Sequence, residues 1–395
     1  MWQPHTEAEA RSGIENGLAR ESASFDAKLS LPAAGRNKDM AKDICAMTVD
    51  GGALLFGLGG DDPTRPDQLV PFDLAGAAER IDQVAQSAIA EPPVIEIYDI
   101  PSDDQPGLGY LCVVVPASPR APHMLTIDGD NRYWGRGPTG NRILTEGEVA
   151  RLYERRARWE TDRGHMLAEA VNAMPFTFDI GQVGPMVTVV KPVAPGRPLL
   201  RVAAGGDQIG DFLPHQLAAT ARQADPYPDQ GTSGIDDAFA ISRSGADVWV
   251  MMSNHGADPS FPYQARVSLG SDGSLTYWHS PVLNTTQQGR LLVMERSITR
   301  AVSQAFATAA FVYDRAGFHG AVDLGVAVLG IELASGASVA QAFTPATYGA
   351  PDYRHDERVT MQELSSQRDG VVRRMLAPLF EVISVRGYDP FGDRR

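Results

Sequence analysis

The segment Glu21-Ser22-Ala23-Ser24-Phe25-Asp26-Ala27-Lys28 sets two carboxylates five residues apart, with a lysine two beyond the second. Carboxylate oxygens are what a hard cation such as Mg²⁺ or Mn²⁺ takes as ligands. If a turn brings Glu21 and Asp26 together, a cation between them polarises a phosphodiester and acidifies an attacking water. Lys28 would then meet a phosphate as a point charge. The same spacing also describes a solvated helix end and an edge strand.

A second constellation is Gly51-Gly52-Ala53-Leu54-Leu55-Phe56-Gly57-Leu58, followed by Asp61-Asp62. The paired glycines permit a tight helix-to-strand turn. The two acids stand just past the strand, where loops of α/β folds often carry chemistry. Asp61 and Asp62 are therefore candidates for chemistry, and a surface turn is the alternative. A third stretch runs from Val113-Val114-Val115-Pro116 through Ser118, Arg120, Pro122 and His123 to Arg132-Tyr133-Trp134-Gly135-Arg136-Gly137. Arginines interleaved with aromatics suit single-stranded nucleic acid, where bases stack and guanidiniums meet phosphates. Equally, Tyr133 and Trp134 fit a core beneath a solvated arginine face. With Lys42 and Arg142 added, the candidate nucleic-acid contacts are Lys28, Lys42, Arg120, His123, Arg132, Trp134, Arg136 and Arg142.

Several elements must position these residues. Helical spacing covers 6–19, and weak alternation gives a strand at 24–30. Asn37–Val49 is a helix with Asn37 as its cap. The apolar run from Ala53 to Leu58 reads as a strand covered on both faces. A helix at Asp73–Ala90 precedes strands at Val94–Ile100, Leu111–Val115 and His123–Ile127, and a short aromatic strand at Arg132–Trp134. Thr145-Glu146-Gly147-Glu148 is a capping box opening a helix that runs past Trp159, with Arg151, Arg155 and Arg158 along one face. Beyond a linker near 172–184, strands are expected at 186–190, 199–202, 248–252, 264–269, 274–278 and 321–333. Helices are expected at 290–313 and 360–383, and 204–236 reads as a Gly/Asp-rich loop. The expected fold is mixed α/β (α+β), with an amino-terminal domain over 1–170 and a second α+β domain over 184–395.

Composition limits the partners. The 395 residues carry a net charge of −14, and the first 165 hold 17 Lys and Arg against 26 Asp and Glu. Such a field repels phosphate, so a nucleic-acid site must be a local basic groove or use a bridging cation. No apolar run reaches the ~20 residues of a membrane span, and the acidic start is unlike a secretory signal. Cys45 and Cys112 sit in apolar stretches and read as buried thiols, which points to a cytoplasmic protein. There is no phosphate-cradling G-x-x-x-x-G-K-[ST] and no zinc spacing.

Together, in order and spacing, the three segments resemble the Schlafen AlbA_2 domain. The resemblance rests on Glu21-Ser22, Phe25-Asp26-Ala27-Lys28, Ala46-Met47 leading to Gly51-Gly52, and Leu54-Leu55-Phe56-Gly57-Leu58. It continues through Pro116-Ala117-Ser118, Pro122-His123 and Trp134-Gly135-Arg136-Gly137, and covers about residues 15–160. The chain departs from the family pattern in three places: Asp26 replaces the usual Glu, Val49 replaces an Asn, and the acidic pair falls on Asp61-Asp62 only with a shift of one or two residues. The resemblance implies a metal-dependent endoribonuclease acting on tRNA or other structured RNA, with Glu21, Asp26 and Asp61 (or Asp62) holding Mg²⁺ or Mn²⁺. Bacterial defence is the implied setting, and a homodimer would complete a two-lobed groove. The alternatives are a non-catalytic nucleic-acid-binding regulator, and a scaffold serving the carboxy-terminal half.

Overall fold

Ala53, Leu54, Leu55 and Phe56 are all buried. Successive strand residues face opposite sides of a sheet, so this strand is covered on both faces, as its unbroken apolar run implied. In the computed structural model, which describes residues 2–33, 35–62, 64–137, 140–174, 184–205, 213–228, 239–244, 248–253 and 264–392, the chain is α+β and divides into two compact units, Met1–Trp159 and Glu160–Arg395. The boundary falls inside a helix, ahead of the 170–184 interval suggested by composition.

The first unit is built on a mixed sheet. Strand β1 (Phe25–Lys28) runs parallel to β2 (Gly52–Phe56), in register Asp26 to Leu54 and Lys28 to Phe56. After Gly57, short strands β3 (Leu58–Gly59) and β4 (Gln68–Leu69) pair as a hairpin. Strands β5 (Phe72–Asp73), β6 (Glu96–Pro101) and β7 (Leu108–Val115) complete the sheet, with β7 antiparallel to β2, β5 and β6. Helices α1 (Glu7–Glu15), α2 (Asn37–Met47) and α3 (Ala77–Ala88) flank it. One face packs Leu54 and Phe56 with Met40, Ile44, Met47, Ile81 and Val84 from α2 and α3. The opposite face packs Phe25, Ala27, Leu55, Tyr110 and Cys112, with Trp2 and Ile14 against them. Strands β8 (Met124–Leu125), β9 (Arg132–Gly137) and β10 (Gly140–Ile143) form a small antiparallel sheet. Helix α4 (Glu146–Asn172) opens on the expected capping box, in which Thr145 N and Oγ1 both donate to Glu148 Oε2 at 2.9 Å.

In the second unit, β11 (Met186–Pro192), β12 (Phe239–Ser244), β13 (Val248–Ser253), β14 (Gln264–Gly270), β15 (Leu275–Ser280), β18 (Ala321–Val328) and β20 (Tyr353–Thr360) form one antiparallel sheet, ordered β12-β13-β14-β15-β11-β18-β20. Between its members lie β16 (Leu283–Thr285), β17 (Leu291–Val293) and β19 (Ser335–Gly336), which form a small sheet of their own. Helices α5 (Leu199–Ala203), α6 (Leu213–Gln223), α7 (Glu295–Arg315), α8 (Met361–Ser366) and α9 (Arg368–Ile383) complete the unit. Ile298, Val302 and Phe306 of α7 share a core with Val190, Tyr277 and Leu324 of the sheet. Met166, Leu167 and Ala170 of α4 pack on Val187, Val189 and Trp278 from the other side.

Several expectations change. The apolar stretch at 199–202 is helix α5, because Leu199, Leu200 and Ala203 bury one helical stripe. The segment 204–236 contains α6, and residues 206–212 and 229–236 lie outside the described residues, as do 175–183 of the expected linker. The helix over 360–383 breaks at Gln367. Arg36, not Asn37, occupies the α2 cap position, because the Asn37 side chain accepts a 2.7 Å hydrogen bond from Arg80. The strand 53–58 is interrupted at Gly57, where φ is +97°.

A Cβ added at Gly57 would fall 2.6 Å from Tyr110 Cδ1 in a backbone region disfavoured for side chains. Gly57→Ala is therefore expected to lower the stability of the first unit by about 2 kcal/mol, read as a drop in urea midpoint with unchanged slope.

Candidate active site and nucleic-acid face

Strand alternation places Asp26 and Lys28 on the α2 side of the sheet, opposite Phe25 and Ala27. An apolar helix stripe would normally meet such positions. Here α2 supplies Asp43, which lies on the same helical face as Met40 and Met47 and is only 5% exposed. The hairpin β9–β10 adds Arg136 and Asn141, which are directly opposed in register.

These side chains form one buried charged cluster. Lys28 Nζ bridges Asp26 Oδ2 and Asp43 Oδ2, at 3.1 Å from each. Arg136 Nη1 donates to Asp26 Oδ2 at 2.9 Å and to Asn141 Oδ1 at 3.1 Å. Its Nη2 donates to the carbonyls of Ser22 and Phe25, both at 3.2 Å. Asn141 Nδ2 donates to the other oxygen of Asp43. Burial alone would depress the Lys28 pKa, but Asp43 and Asp26 outweigh it and hold the ammonium above its ordinary value. Burial raises Asp43 above the usual carboxylate range, against the pull of Lys28.

Glu21 joins this cluster from the turn before β1. Burial, followed by the neighbouring Asp26 carboxyl, raises its pKa. Asp26 Oδ1 is buried and meets no hydrogen-bond donor. Lys28 and Arg136 both bind Asp26 through Oδ2, which leaves Oδ1 without a partner. Glu21 and Asp26 thus influence each other electrostatically, and Lys28 and Arg136 stand beside Asp26.

The third acid is not brought in. Asp61 is exposed, and Asp62 Oδ1 accepts from Thr64 N at 2.9 Å and Thr64 Oγ1 at 2.7 Å. The acidic loop reaches the site only through its backbone, where Glu21 N donates to Thr64 O at 3.1 Å. Among the described residues, no three His, Cys, Asp or Glu converge as a metal-ligating group. The pair Glu21 and Asp26 still matches Mg²⁺ chemistry, since that ion is often bound by one or two carboxylates, with waters and phosphate oxygens completing its shell.

The expected nucleic-acid contacts separate into two groups. Arg136 is 8% exposed and clamps Asp26 and the turn before β1, which removes it from phosphate contact. His123 is buried between Glu91 O and Ser118 Oγ, at 2.6 and 2.7 Å. Arg142 closes on Glu148 through two hydrogen bonds at the capping box. All three are engaged within the first unit. The second group surrounds Trp134: Arg132 lies 5.4 Å and Lys42 5.5 Å from its ring centre. Lys38 and Arg132 both bind Asp130, whose enclosed carboxylate is lowered to about 2, chiefly by the Arg132 hydrogen bonds. Lys42 pairs with Asp39 at 2.8 Å. Arg120 is exposed beyond this group. On α4, Arg155 donates to Val49 O and lies 3.5 Å from Asp50, Arg156 pairs with Glu91, and Arg151 and Arg158 are exposed.

Residue types alone did not reveal Asp43. Its signal was a carboxylate on the apolar stripe of α2, at the spacing of Met40 and Met47. Both cysteines are free and buried, and burial pushes Cys45 up to about 12 and Cys112 up to about 11, so neither presents a thiolate. No described helix is long and apolar enough to cross a membrane. Compared with protein-family models, curated proteins and solved structures, the chain matches none.

Lys28→Met leaves Asp43 buried with Asn141 and no cation. Because Lys28 is about one third exposed, the expected loss at pH 8 is about 2 kcal/mol, below the ~3–5 kcal/mol of a fully enclosed pair. A carboxyl whose folded pKa is raised contributes stability at low pH that is lost as pH rises through that pKa. The deficit relative to the parent protein is therefore expected to be largest at pH 8 and to narrow as pH falls toward 5, read from melting curves.

Proposed function

We propose that the first unit is a metal-dependent endoribonuclease with its reaction centre at Glu21 and Asp26. The observation that carries this reading is the buried, donorless Asp26 Oδ1 in a carboxyl pair with Glu21, next to Lys28 and Arg136. A bound Mg²⁺ or Mn²⁺ would supply Lewis acidity toward a phosphodiester. Arg136 and Lys28 hold Asp26 by its other oxygen, which fixes the carboxylate and leaves Oδ1 for the ion. Glu21 is only partly buried and so reaches solvent and substrate. Because its pKa is raised, protonation competes with cation binding there, and binding strengthens as pH rises.

The Trp134 face supports the substrate half of the reading. Arg132 and Lys42 flank one aromatic ring, an arrangement on which a base can stack beside a phosphate. The compensating Asp130 and Asp39 keep this face mild, which suits a structured RNA contacted at few phosphates. The chemistry of the site does not distinguish tRNA from other RNAs. A setting in bacterial defence and a homodimeric groove rest on the Schlafen resemblance alone.

A second reading, binding without cleavage, is favoured by the absence of a third carboxylate among the described residues. The two separate in one experiment: the full chain is incubated with total RNA with Mn²⁺, with Mg²⁺, and with EDTA. Cleavage should require metal and fall at least ~100-fold in Glu21→Gln. The melting temperature of Glu21→Gln at pH 7 should not drop, because the substitution removes a carboxylate whose ionised form is disfavoured in the folded state. Full cleavage by the Glu21→Gln/Asp26→Asn double variant would overturn the hydrolytic centre. RNA binding that survives EDTA and weakens steeply with salt, without cleavage, would establish the second reading.

A further inference from the structure

The loop after β7 contains a hydrogen-bonded chain that the acidic cluster does not use. His123 is 2% exposed, with Nδ1 2.6 Å from the carbonyl oxygen of Glu91 and Nε2 2.7 Å from Ser118 Oγ. A carbonyl only accepts, so the proton sits on Nδ1. The neutral ring then offers Nε2 as an acceptor, and the Ser118 hydroxyl donates to it. This is the hydrogen-bond order of a serine nucleophile, a histidine base and an orienting acceptor. Ser118 is only partly buried and remains open to solvent.

A second feature points the same way. Glu91 has φ +51°, a left-handed conformation uncommon for a residue with a side chain, and this strained residue supplies the carbonyl that meets His123. Such strain concentrates at functional sites. Arg156 spans the two segments: its Nη2 donates to the Glu91 carboxylate at 2.9 Å and its Nη1 to Arg120 O at 3.2 Å. One guanidinium thus ties the segment holding Glu91 to the segment holding Ser118. Thr48 O accepts from Ser118 N at 2.7 Å, and Cys45 Sγ donates to His123 O at 3.0 Å, so both partners are pinned to the end of α2.

We propose that Ser118 is a nucleophile toward carboxylic esters, with His123 as its general base and Glu91 and Arg156 as positioning residues. Ser118 Oγ attacks the acyl carbon while its proton passes to His123 Nε2. The alcohol leaves with that proton, and the acyl group stays on Ser118. Water then gives a proton to His123 and attacks the acyl carbon. Ser118 Oγ departs and recovers the proton, so that ester and water become acid and alcohol. Burial lowers the His123 pKa below its ordinary 6.5, the Glu91 and Ala90 backbone and the Glu91 carboxylate oppose this, and Arg156 adds to it. The base is neutral at pH 7.

The test treats the full-length protein with a fluorophosphonate probe, locates the adduct by peptide mass spectrometry, and follows p-nitrophenyl acetate hydrolysis in parallel. One equivalent of probe is expected on Ser118, with none at that position in Ser118→Ala. His123→Gln should slow labelling about 100-fold. Because His123 is buried and its variant can fail to fold, the pH profile of the parent protein decides independently. Labelling that is flat above pH 7 and half-lost below pH 6.5 supports the dyad. No adduct on folded protein, a Ser118 rate untouched in folded His123→Gln, or a rate that climbs steadily with hydroxide through pH 9 overturns it.

Discussion

The first unit is organised by the desolvation of two carboxylates. Asp26 comes from β1, Asp43 from α2, and the groups that compensate them come from β1 itself and from the β9–β10 hairpin. An isolated buried carboxylate costs several kcal/mol, and ion pairing at best offsets that cost. The cluster therefore adds little net stability. Its effect is selective: any arrangement that separates these three elements leaves a buried charge without a partner. A one-residue slip of β1 against β2 would move Asp26 and Lys28 into the core around Tyr110 and Leu55, and Phe25 and Ala27 onto Asp43. The apolar patterning of β1 is too short to prevent that slip alone, and the charges complete the specification.

The same constraint decides which groups remain for a ligand. Arg136 is held by Asp26, Asn141 and two carbonyls, so it acts as a strut. Lys28 is held between two acids. Asp26 Oδ1 and Glu21 are left over, and both lie at the margin of the cluster where the chain turns into β1. Net charge enters at this point. A chain carrying −14 cannot draw RNA by its overall field. Attraction has to be local, and the Arg132–Trp134–Lys42 face is local by construction, with Asp130 and Asp39 already cancelling part of its charge. On the proposed reading, such a face would orient a substrate more than attract one.

How far the sequence disclosed this depended on the range of each interaction. The both-faces strand at Ala53–Phe56, the capping box at Thr145 and the amphipathic α2 were legible because their causes lie within a few residues. The approach of Glu21 to Asp26 was legible for the same reason. The partnership of Asp43 with Lys28 and of Arg136 with Asp26 was not, since residues 15 and 110 positions apart are joined only by tertiary packing. The misjudged strand at 199–202 is a related case: Leu199, Leu200 and Val202 satisfy both a strand and one helical turn, and the neighbouring core chose the helix. Asp61-Asp62 looked catalytic from its place after a glycine strand. The local Asp62–Thr64 turn uses that carboxylate instead.

Helix α2 unites the two candidate sites. From its middle, Asp43 anchors the acidic cluster. From its end, Cys45 and Thr48 anchor the loop carrying His123 and Ser118. Both anchorages use polar groups on a helix whose remaining inward face is apolar, so α2 cannot rotate or shift without breaking one set of buried hydrogen bonds. A helix fixed at both points is a rigid mount, and rigid mounts hold reactive groups within the tolerance that chemistry needs. The buried polar groups of α2 are thus better explained as positioning devices than as contributors to stability, since each could be replaced by an apolar side chain at little cost only if its partner went too. The acidic cluster and the Ser118 loop therefore share one support in α2.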